Sequence, residues 1–307
     1  MTEMQTAIFS HREVNDMPII VTKRRLNPIV TLMELNCPHI ARKAKPGQFV
    51  MVRPDEFGER IPLTIADYDA VRGTVTIMYQ RLGLTTHKLD LMEAGDNILD
   101  VVGPLGNPTE TEGVKRAVVL GGGVGCTIAY PQAKALYAAG AEVDVIIGFR
   151  TKELVFMEDH FRRNCNNLYI TTDDGTYGEQ GFVNKKLEQL LEAGNQYDVA
   201  IAIGPIPMMR AVCNSTLPYD LKTIVSLNPI MVDGTGMCGC CRCTVGGQLK
   251  FACVDGPDFD GHQVDFDELI IRTGVYRTQE QNATEQHLCN LQRQADELKA
   301  KQERGED

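Results

Sequence analysis

The stretch RAVVLGGGVGCTIAYPQAKALYAA, which spans Arg116–Ala139, decides the fold of the central part of the chain. It begins with an apolar run typical of a buried strand, continues through a glycine-rich turn at 121–125, and ends with helical spacing. Gly121 and Gly123 would let the backbone approach a pyrophosphate and present helix N-terminal amides to it. Because Cys126 replaces the third glycine of the usual fingerprint, these residues alone support dinucleotide binding and a merely tight turn equally.

Strands and helices continue to alternate beyond this turn, within a predicted nucleotide-binding domain at 113–228. We expect strands at Val143–Gly148, Leu168–Thr172, Val199–Ile203 and Thr223–Leu227, and helices at 152–163, 181–193 and 206–216. This alternating order favours a doubly wound parallel sheet.

A second turn, Gly204-Pro205-Ile206-Pro207-Met208-Met209, follows another strand of the predicted sheet. Doubly wound sheets bind ligands at the carboxyl ends of their strands, so this turn favours dinucleotide binding. The alternative interpretation is that the prolines begin a helix above core methionines.

Residues 18–112, which follow an N-terminal arm at 1–17, have the pattern of an antiparallel barrel. Short β-branched runs alternate at even spacing with Pro, Gly or Asp. We expect strands at Ile19–Leu26, Ile29–Leu35, Gln48–Arg53, Thr74–Leu82 and Asn97–Val102.

Two short segments of this barrel have residues suited to phosphate binding. The segment Arg60-Ile61-Pro62-Leu63-Thr64 supplies an arginine that can pair a diphosphate, and a hydroxyl at the end of an extended stretch. The segment Gly83-Leu84-Thr85-Thr86 begins a predicted helix at 85–92, whose N-terminal amides can bind phosphate. A solvated arginine at the barrel rim is the alternative interpretation of Arg60.

Five of the ten cysteines lie between Cys238 and Cys253. Thiolates this close together repel one another unless a soft cation neutralises them, and Gly234, Gly236 and Gly239 let the backbone wrap around such a cation. An iron–sulfur cluster is the leading interpretation, and a tetrahedral zinc site is the competing one.

Composition narrows the function classes. The chain has 307 residues and 43% hydrophobic content, so it can bury sizeable cores without disulfides. Its net charge of -10 argues against nucleic acid as a partner. The N-terminus lacks a secretion signal and no apolar stretch suits a membrane span, so we expect a cytoplasmic protein with reduced thiols.

The barrel, the glycine turn and the cysteine loop together resemble the ferredoxin reductase superfamily with an appended cluster. Within it, the chain is similar to the electron-transfer subunits of dihydroorotate dehydrogenase. It is more similar to the small (alpha) subunits of electron-bifurcating NADH-dependent reduced ferredoxin:NADP+ oxidoreductases, also described as sulfide dehydrogenase beta subunits. Within residues 18–277, the stretches that carry this resemblance are Pro46–Val50, Gly58–Asp67, Asp100–Gly106, Asn228–Gly234 and Phe251–Pro257.

This resemblance implies a six-stranded antiparallel flavin-binding barrel, a parallel-sheet nucleotide domain, a small iron–sulfur module at 229–277 and a charged helical tail at 278–307. It implies FAD and NAD(H), with NADP(H) as the alternative dinucleotide. The residues implied for FAD are Arg60, Pro62, Leu63, Thr64, Gly83, Thr85 and Thr86. Those implied for the dinucleotide are Gly121, Gly122, Gly123, Val124, Gly125, Gly204, Pro205 and Met208.

The resemblance also implies a [2Fe-2S] cluster. The bifurcating relatives place an aspartate before three cysteines, whereas the dihydroorotate dehydrogenase subunits usually use four cysteines. The residues that fit the first pattern are Asp233, Cys238, Cys241 and Cys253. Cys240 and Cys243 depart from it, and if either of them bound iron, Asp233 would be a turn residue.

The implied function is electron transfer between NAD(H) and a larger iron–sulfur flavoprotein in a heterodimer, and through that partner to ferredoxin. The alternatives are an electron-transfer subunit of dihydroorotate dehydrogenase and a redox-sensing module without turnover. Arg150 and Lys152 favour a 2′-phosphate, unless they are a solvated helix start. We expect Cys126 to be a packed thiol. A short amphipathic helix is expected in the tail, with its apolar face at Leu288, Leu291, Ala295 and Leu298.

Overall fold

The computed structural model describes residues 17–283 and 285–286. Its first unit is an antiparallel sheet with the strand order β1-β2-β5-β4-β3-β6. The strands are β1 (Ile19–Arg25), β2 (Val30–Asn36), β3 (Phe49–Arg53), β4 (Ile61–Asp69), β5 (Thr74–Gln80) and β6 (Asp100–Leu105). Two helices, α1 (Pro38–Ala41) and α2 (Leu84–Leu91), lie in the connections.

This sheet closes into a barrel because the chain before β6 returns to β1. Ile19 forms an antiparallel bridge with Asn97, and the backbone N–H of Ile20 donates to the carbonyl of Asp96 at 3.0 Å. Buried apolar side chains fill the interior. The predicted six-stranded barrel is confirmed, and β4 is the strand that the sequence pattern indicated only as an extended segment.

The second unit is a sheet in the order β10-β9-β8-β7-β11-β12-β15, parallel except for its last strand, β15 (Asp258–Asp260). Its strands include β7 (Arg116–Gly122), β8 (Glu142–Phe149), β9 (Asn167–Thr172), β10 (Glu179–Gln180), β11 (Val199–Ile203) and β12 (Thr223–Ser226). Its helices are α3 (Cys126–Ala138), α4 (Glu158–Arg162), α5 (Val183–Glu192) and α6 (Ile206–Thr216). The order reverses between β7 and β11, which confirms the predicted doubly wound sheet and defines its switch point.

The single helix predicted at 152–163 is wrong in its extent. A short 3₁₀ turn occupies Lys152–Leu154, and α4 begins only at Glu158. Met157 between them has a φ of 63° in the left-handed region, which a continuous right-handed helix does not tolerate.

The C-terminal segment contains a hairpin of β13 (Arg242–Val245) and β14 (Gln248–Phe251), then β15 (Asp258–Asp260) and helix α7 (Phe266–Thr273). Strand β15 pairs antiparallel with β12. The segment that follows the cysteine loop is therefore an edge strand of the nucleotide-binding sheet.

Within the described residues, no helix combines the length and the apolar character needed to cross a membrane. The helix predicted around Leu288 to Leu298 lies outside those residues.

Candidate functional site

A cavity of about 590 Å³ opens at the switch point, at the carboxyl ends of β7, β8 and β11. Barrel residues form its opposite wall, among them Asn27, Val30 and Gln80. This volume lies in the range of small-molecule and cofactor sites. The predicted dinucleotide residues that line it are Gly122, Gly123, Val124, Gly125, Gly204, Pro205 and Met208.

Close packing explains the glycines of this wall. A Cβ at Gly125 would lie 2.4 Å from the carbonyl oxygen of Ile203, so glycine lets the turn before α3 touch the end of β11. A Cβ at Gly122 would lie 2.3 Å from Sδ of Met208. Gly123 has a φ of 55° and open space at its Cβ position, so its backbone is accessible to a ligand.

Gly121, by contrast, does not line the cavity. A Cβ there would lie 3.0 Å from Sγ of Cys126, so this glycine serves the packing of α3 on the sheet. Cys126 is fully buried, and burial raises the pKa of its thiol. These contacts support the expected role of Cys126 as a packed thiol.

Of the two cations predicted after β8, the structure brings only Arg150 to the cavity. The ammonium of Lys152 lies instead 5.7 Å from the centre of the Tyr177 ring. Asp173 and Thr171 also line the cavity, and the buried Thr171 hydroxyl has no hydrogen-bond partner among the described residues. The sequence pattern missed both residues, although their position at the carboxyl end of β9 was a usable signal.

The predicted flavin residues lie outside this cavity, on the barrel. Pro62, Leu63 and Thr64 belong to β4, which pairs with β3. Arg60 precedes them, with Nη1 3.4 Å from Oδ2 of Asp100. The Nε atom of Arg60 is buried and unpaired within the described part of the chain. The side chain as a whole is about one-third exposed, and a guanidinium suits a phosphate oxygen.

The other predicted phosphate segment forms the first turn of α2. The Thr86 hydroxyl accepts from the backbone N–H groups of Leu82 and Gly83 and donates to the carbonyl of Gly83. The buried Thr85 hydroxyl donates to Glu59 at 3.3 Å. Gly83 has open space at its Cβ position. These hydroxyls are thus bonded to protein groups, and the helix N-terminus remains the feature suited to phosphate.

Polar contacts fix the barrel against the parallel sheet beside the cavity. Lys134 on α3 pairs with Asp67 on β4 at 2.9 Å. The side chain of Asn27 donates to the carbonyl of Leu154 at 2.9 Å. The two predicted ligand sites therefore lie on units that are packed together.

The cysteine loop begins at Asp233, whose carboxylate accepts three backbone N–H bonds. The donors are Thr235 at 2.6 Å, Met237 at 3.1 Å and Cys238 at 2.8 Å. The Thr235 N–H contributes most to lowering the pKa of this carboxyl. Asp233 thus forms the turn that shapes the loop, and its ionised oxygens lie next to Cys238.

Next to this turn, the loop packs on the barrel. Gly234 has a φ of 80°, and a Cβ there would lie 2.7 Å from Cγ of Met51. Met51 is the register partner of Pro62 in β4. The cysteine loop therefore contacts the strand adjacent to the predicted flavin residues.

The sulfur atoms of the loop lie at different depths. Cys241 and Cys253 are buried, with their Sγ atoms 3.2 Å apart, whereas Cys238 is exposed. Burial raises the pKa of Cys253 to about 12 and that of Cys243 to about 11. The backbone N–H of Cys240 lowers the pKa of Cys238.

This donor set suits an iron–sulfur cluster, because two cysteine sulfurs already lie side by side and the loop offers further thiols and one carboxylate. Among the described residues, however, no three His, Cys, Asp or Glu side chains converge in a geometry that holds a metal ion. Because cysteine ligands bind metal as thiolates, cluster binding would release protons from these buried thiols.

Comparison with a known reductase agrees with the architecture. The chain is 20% identical to a ferredoxin reductase in carbazole 1,9a-dioxygenase, with a TM-score of 0.57 over 67% of this chain and 66% of that one. The barrel and the doubly wound sheet therefore define a ferredoxin reductase-like fold.

Residues 228–265 match the family model described as the iron-sulfur cluster binding domain of dihydroorotate dehydrogenase B. This match supports the predicted iron–sulfur cluster over the competing zinc site.

More similar relatives cover almost the whole described chain. It is 45% identical to the dihydroorotate dehydrogenase B (NAD(+)) electron transfer subunit homolog of Thermotoga maritima, over 88% of this chain and 95% of the relative. It is 34% identical to the corresponding electron transfer subunit of Geobacillus thermodenitrificans, over 80% and 96%. The chain belongs to the family of dihydroorotate dehydrogenase B electron-transfer subunits and their homologues.

A solved structure shows the same fold at high similarity. In the NADH-dependent reduced ferredoxin-NADP oxidoreductase, studied for flavin-based electron bifurcation, one chain is 44% identical, with a TM-score of 0.84 over 89% of this chain and 98% of that one. The predicted resemblance to both groups is thus confirmed, and the protein is an oxidoreductase electron-transfer subunit.

Proposed function

We propose that this chain takes electrons from NAD(H) at the switch-point cavity and passes them, through FAD on the barrel and a [2Fe-2S] cluster in the cysteine loop, to a partner subunit. This proposal rests on the observation that the cavity, the barrel and the cysteine loop lie next to one another. The cavity lies between the sheet and the barrel, and the cysteine loop touches β3 through Gly234 and Met51, beside the predicted flavin strand.

On the barrel, the partly exposed guanidinium of Arg60 would pair the flavin diphosphate, and the α2 N-terminus would bind phosphate through backbone amides. The backbone and hydroxyl groups of Pro62, Leu63 and Thr64 would orient the ring on β4. A bound flavin supplies the conversion between hydride transfer and one-electron transfer. An acid–base triad is not needed for that conversion.

At the cavity, the accessible backbone of Gly123 and the N-terminus of α3 would bind the pyrophosphate, and Met208 would close the wall. Arg150 and Asp173 both line the cavity. Asp173 suits a free ribose hydroxyl and Arg150 suits a 2′-phosphate. We propose NAD(H) as the dinucleotide, in line with the relatives named for NAD(+) and NADH.

In the cysteine loop, we propose a carboxylate and three thiolates as cluster ligands, namely Asp233, Cys238, Cys241 and Cys253. The nearness of the ionised Asp233 to Cys238, and of Cys241 to Cys253, supports this set. Cys243 lies buried on β13 and Cys240 is half-buried, and we assign neither a ligand role.

We propose a larger iron–sulfur flavoprotein as the partner, within an electron-bifurcating ferredoxin:NADP+ oxidoreductase. Asp233 in the first ligand position and the 44% identity to the bifurcating enzyme favour this assignment. Large exposed apolar side chains at Val232, Met237 and Val254 surround the cysteine loop and suit a docking partner. The second candidate function is electron transfer to a dihydroorotate dehydrogenase subunit, which the names of the relatives support.

Anaerobic titration of the purified, FAD-loaded chain with NADH tests the first half of this proposal. We expect the oxidised flavin absorption bands to bleach. Gly122→Val places a side chain against Met208 inside the cavity wall and should abolish bleaching while FAD stays bound. Unchanged flavin bands in the wild type would instead support the redox-sensing module.

Purification of the native complex tests the partner assignment. A large iron–sulfur flavoprotein as second subunit supports the bifurcating complex, and that subunit would also be the one that exchanges electrons with ferredoxin. A dihydroorotate-oxidising subunit would replace the proposal with the second candidate.

A further inference from the structure

One buried carboxyl group joins all three parts of the molecule. Asp258 lies in β15 opposite Ser226 of β12, its register partner in the sheet. The hydroxyl of Thr109, from the segment between the barrel and the sheet, donates to Oδ2 at 2.6 Å. Nε2 of Gln132 on α3 donates to the same oxygen at 3.2 Å.

The other oxygens of this carboxyl–amide contact are unpaired. Oδ1 of Asp258 and Oε1 of Gln132 are both buried without a partner among the described residues. An ionised carboxylate and an amide oxygen are acceptors only, so neither can satisfy the other. Two unpaired acceptors beside the fully buried Gln132 are costly.

A single proton removes both defects. A proton on Oδ1 of Asp258 would make that oxygen a donor to Oε1 of Gln132. The amide Nε2 of Gln132 already donates to Oδ2 of the same carboxyl group. The acid and the amide would then face each other through two hydrogen bonds. Because Oδ1 of Asp258 and Oε1 of Gln132 are both buried atoms, this pairing is favoured over a charged carboxylate.

The surroundings agree with a neutral group. Burial is the largest influence on Asp258 and raises the pKa of its carboxyl, and no charged side chain contributes. The side chains that face it from neighbouring elements are neutral, namely Thr109, Gln132 and Ser226. The carboxylates nearest in its own segment, Asp255 and Asp260, accept backbone N–H bonds elsewhere.

We propose that Asp258 is a protonated acid in the working protein, and that its pairing with Gln132 anchors β15 and thereby holds its register partner Ser226 in the wall of the switch-point cavity. Ser226 lines that cavity at the end of β12. Asp258 is therefore a positioning residue: it binds no cofactor, and it keeps the edge strand β15 and the cavity wall in register. The expected effect of Asp258 on the KM for NADH rests on the proposed function, whereas its protonation state does not.

Two substitutions test the protonation state. Asp258→Asn keeps the shape and supplies a permanent N–H donor for Oε1 of Gln132, so it mimics the neutral acid. Asp258→Ala removes every bond. The infrared C=O band of a protonated carboxyl should be present in the wild type at pH 7 and absent in Asp258→Asn. Its absence from the wild type would overturn the proposal.

Thermal unfolding gives a second readout that needs no dinucleotide. The folded-state pKa of an acid is raised here, so its stabilising contribution is lost as pH rises through that pKa. Relative to Asp258→Asn, the wild type should lose stability as pH rises. An Asn variant as unstable as Asp258→Ala at every pH would show an ionised acceptor and contradict the proposal.

Kinetics test the positioning role in the cofactor-loaded chain. Asp258→Ala should raise KM for NADH roughly tenfold with a smaller change in kcat, and Asp258→Asn should restore KM to within about twofold of the wild type. Equal KM in all three proteins would refute positioning. If the alanine variant does not fold, the asparagine variant alone decides by its infrared and unfolding data. If even the wild type does not oxidise NADH, the proposed function fails while those data still decide the protonation state.

Discussion

The switch-point cavity is shaped by backbone packed closely on backbone, whereas the sulfur atoms of the cysteine loop lie at different depths. In the cavity wall, Gly125 lies against the carbonyl of Ile203, and this contact requires no ligand. In the loop, Cys241 and Cys253 are buried together while Cys238 is exposed. The cavity wall therefore forms when the chain folds, whereas we propose that the thiols of the loop are brought together when the cluster binds.

The largest effect on this comparison is expected from the cavity. In Gly125→Ala the new Cβ would lie 2.4 Å from the Ile203 carbonyl oxygen, so α3 must move away from β11. We expect a loss of about 3 kcal/mol in the free energy of unfolding, measured by urea denaturation. As a control, Gly274→Ala makes only ordinary contacts of 3.6 Å and should change it by less than about 0.5 kcal/mol. Equal stability of the two variants would contradict the packing explanation.

The second effect concerns the loop and leaves the fold intact. Cys241→Ser should lose most of its bound iron and weaken cluster binding by at least about a hundredfold, because a thiolate ligand is removed. Iron and sulfide analysis after reconstitution measures this loss. The neighbouring Cys240→Ser is the matched control and should keep its iron. Loss of iron from Cys240→Ser with retention in Cys241→Ser would show that Cys240, and not Cys241, is the cluster ligand.

A smaller effect is expected at the ribose end of the cavity. Arg150→Ala should lower kcat/KM for NADPH about tenfold and change that for NADH less than about threefold, since only a 2′-phosphate needs the cation. Lys152→Ala is the control, because its ammonium lies over Tyr177 and outside the cavity lining. Steady-state kinetics with both dinucleotides checks this, and equal effects of the two variants would argue against it.

The smallest effect is expected from the contact between barrel and sheet. The Lys134–Asp67 pair at 2.9 Å is about two-fifths exposed on both sides. Lys134→Met should therefore cost less than about 1 kcal/mol of unfolding free energy, and the difference should shrink as salt is added. Because methionine keeps the apolar stem, the variant tests the charge alone, and a larger or salt-independent loss would contradict a weak, screened ion pair.

Much of the fold could be predicted from sequence because periodicity and turn residues are local signals. The strand, glycine turn and helix at Arg116–Ala139 are an example. The strand β4 and the break at Met157 were not predictable in this way, because pairing partners and a left-handed residue decide them. The placement of β15 beside β12 likewise depends on contacts between distant segments.

The candidate site divides in the same manner. Motif spacing identified the glycines around the cavity and the cysteines of the loop. Asp173 and Asp258 could not be predicted from motif spacing. Each is a single acidic residue, and its role depends on neighbours from distant segments of the chain. The predicted flavin residues, cluster ligands and domain limits remain predictions.

Freeze-quench EPR tests most directly whether the two regions are linked by electron transfer. After rapid anaerobic mixing of the cofactor-loaded chain with NADH, we predict the signal of a reduced [2Fe-2S] cluster, with a changed spectrum in Asp233→Cys. In Cys241→Ser the flavin bands should bleach without that signal. A wild-type chain whose flavin bleaches while the cluster stays oxidised would contradict the proposed path from the cavity to the cysteine loop.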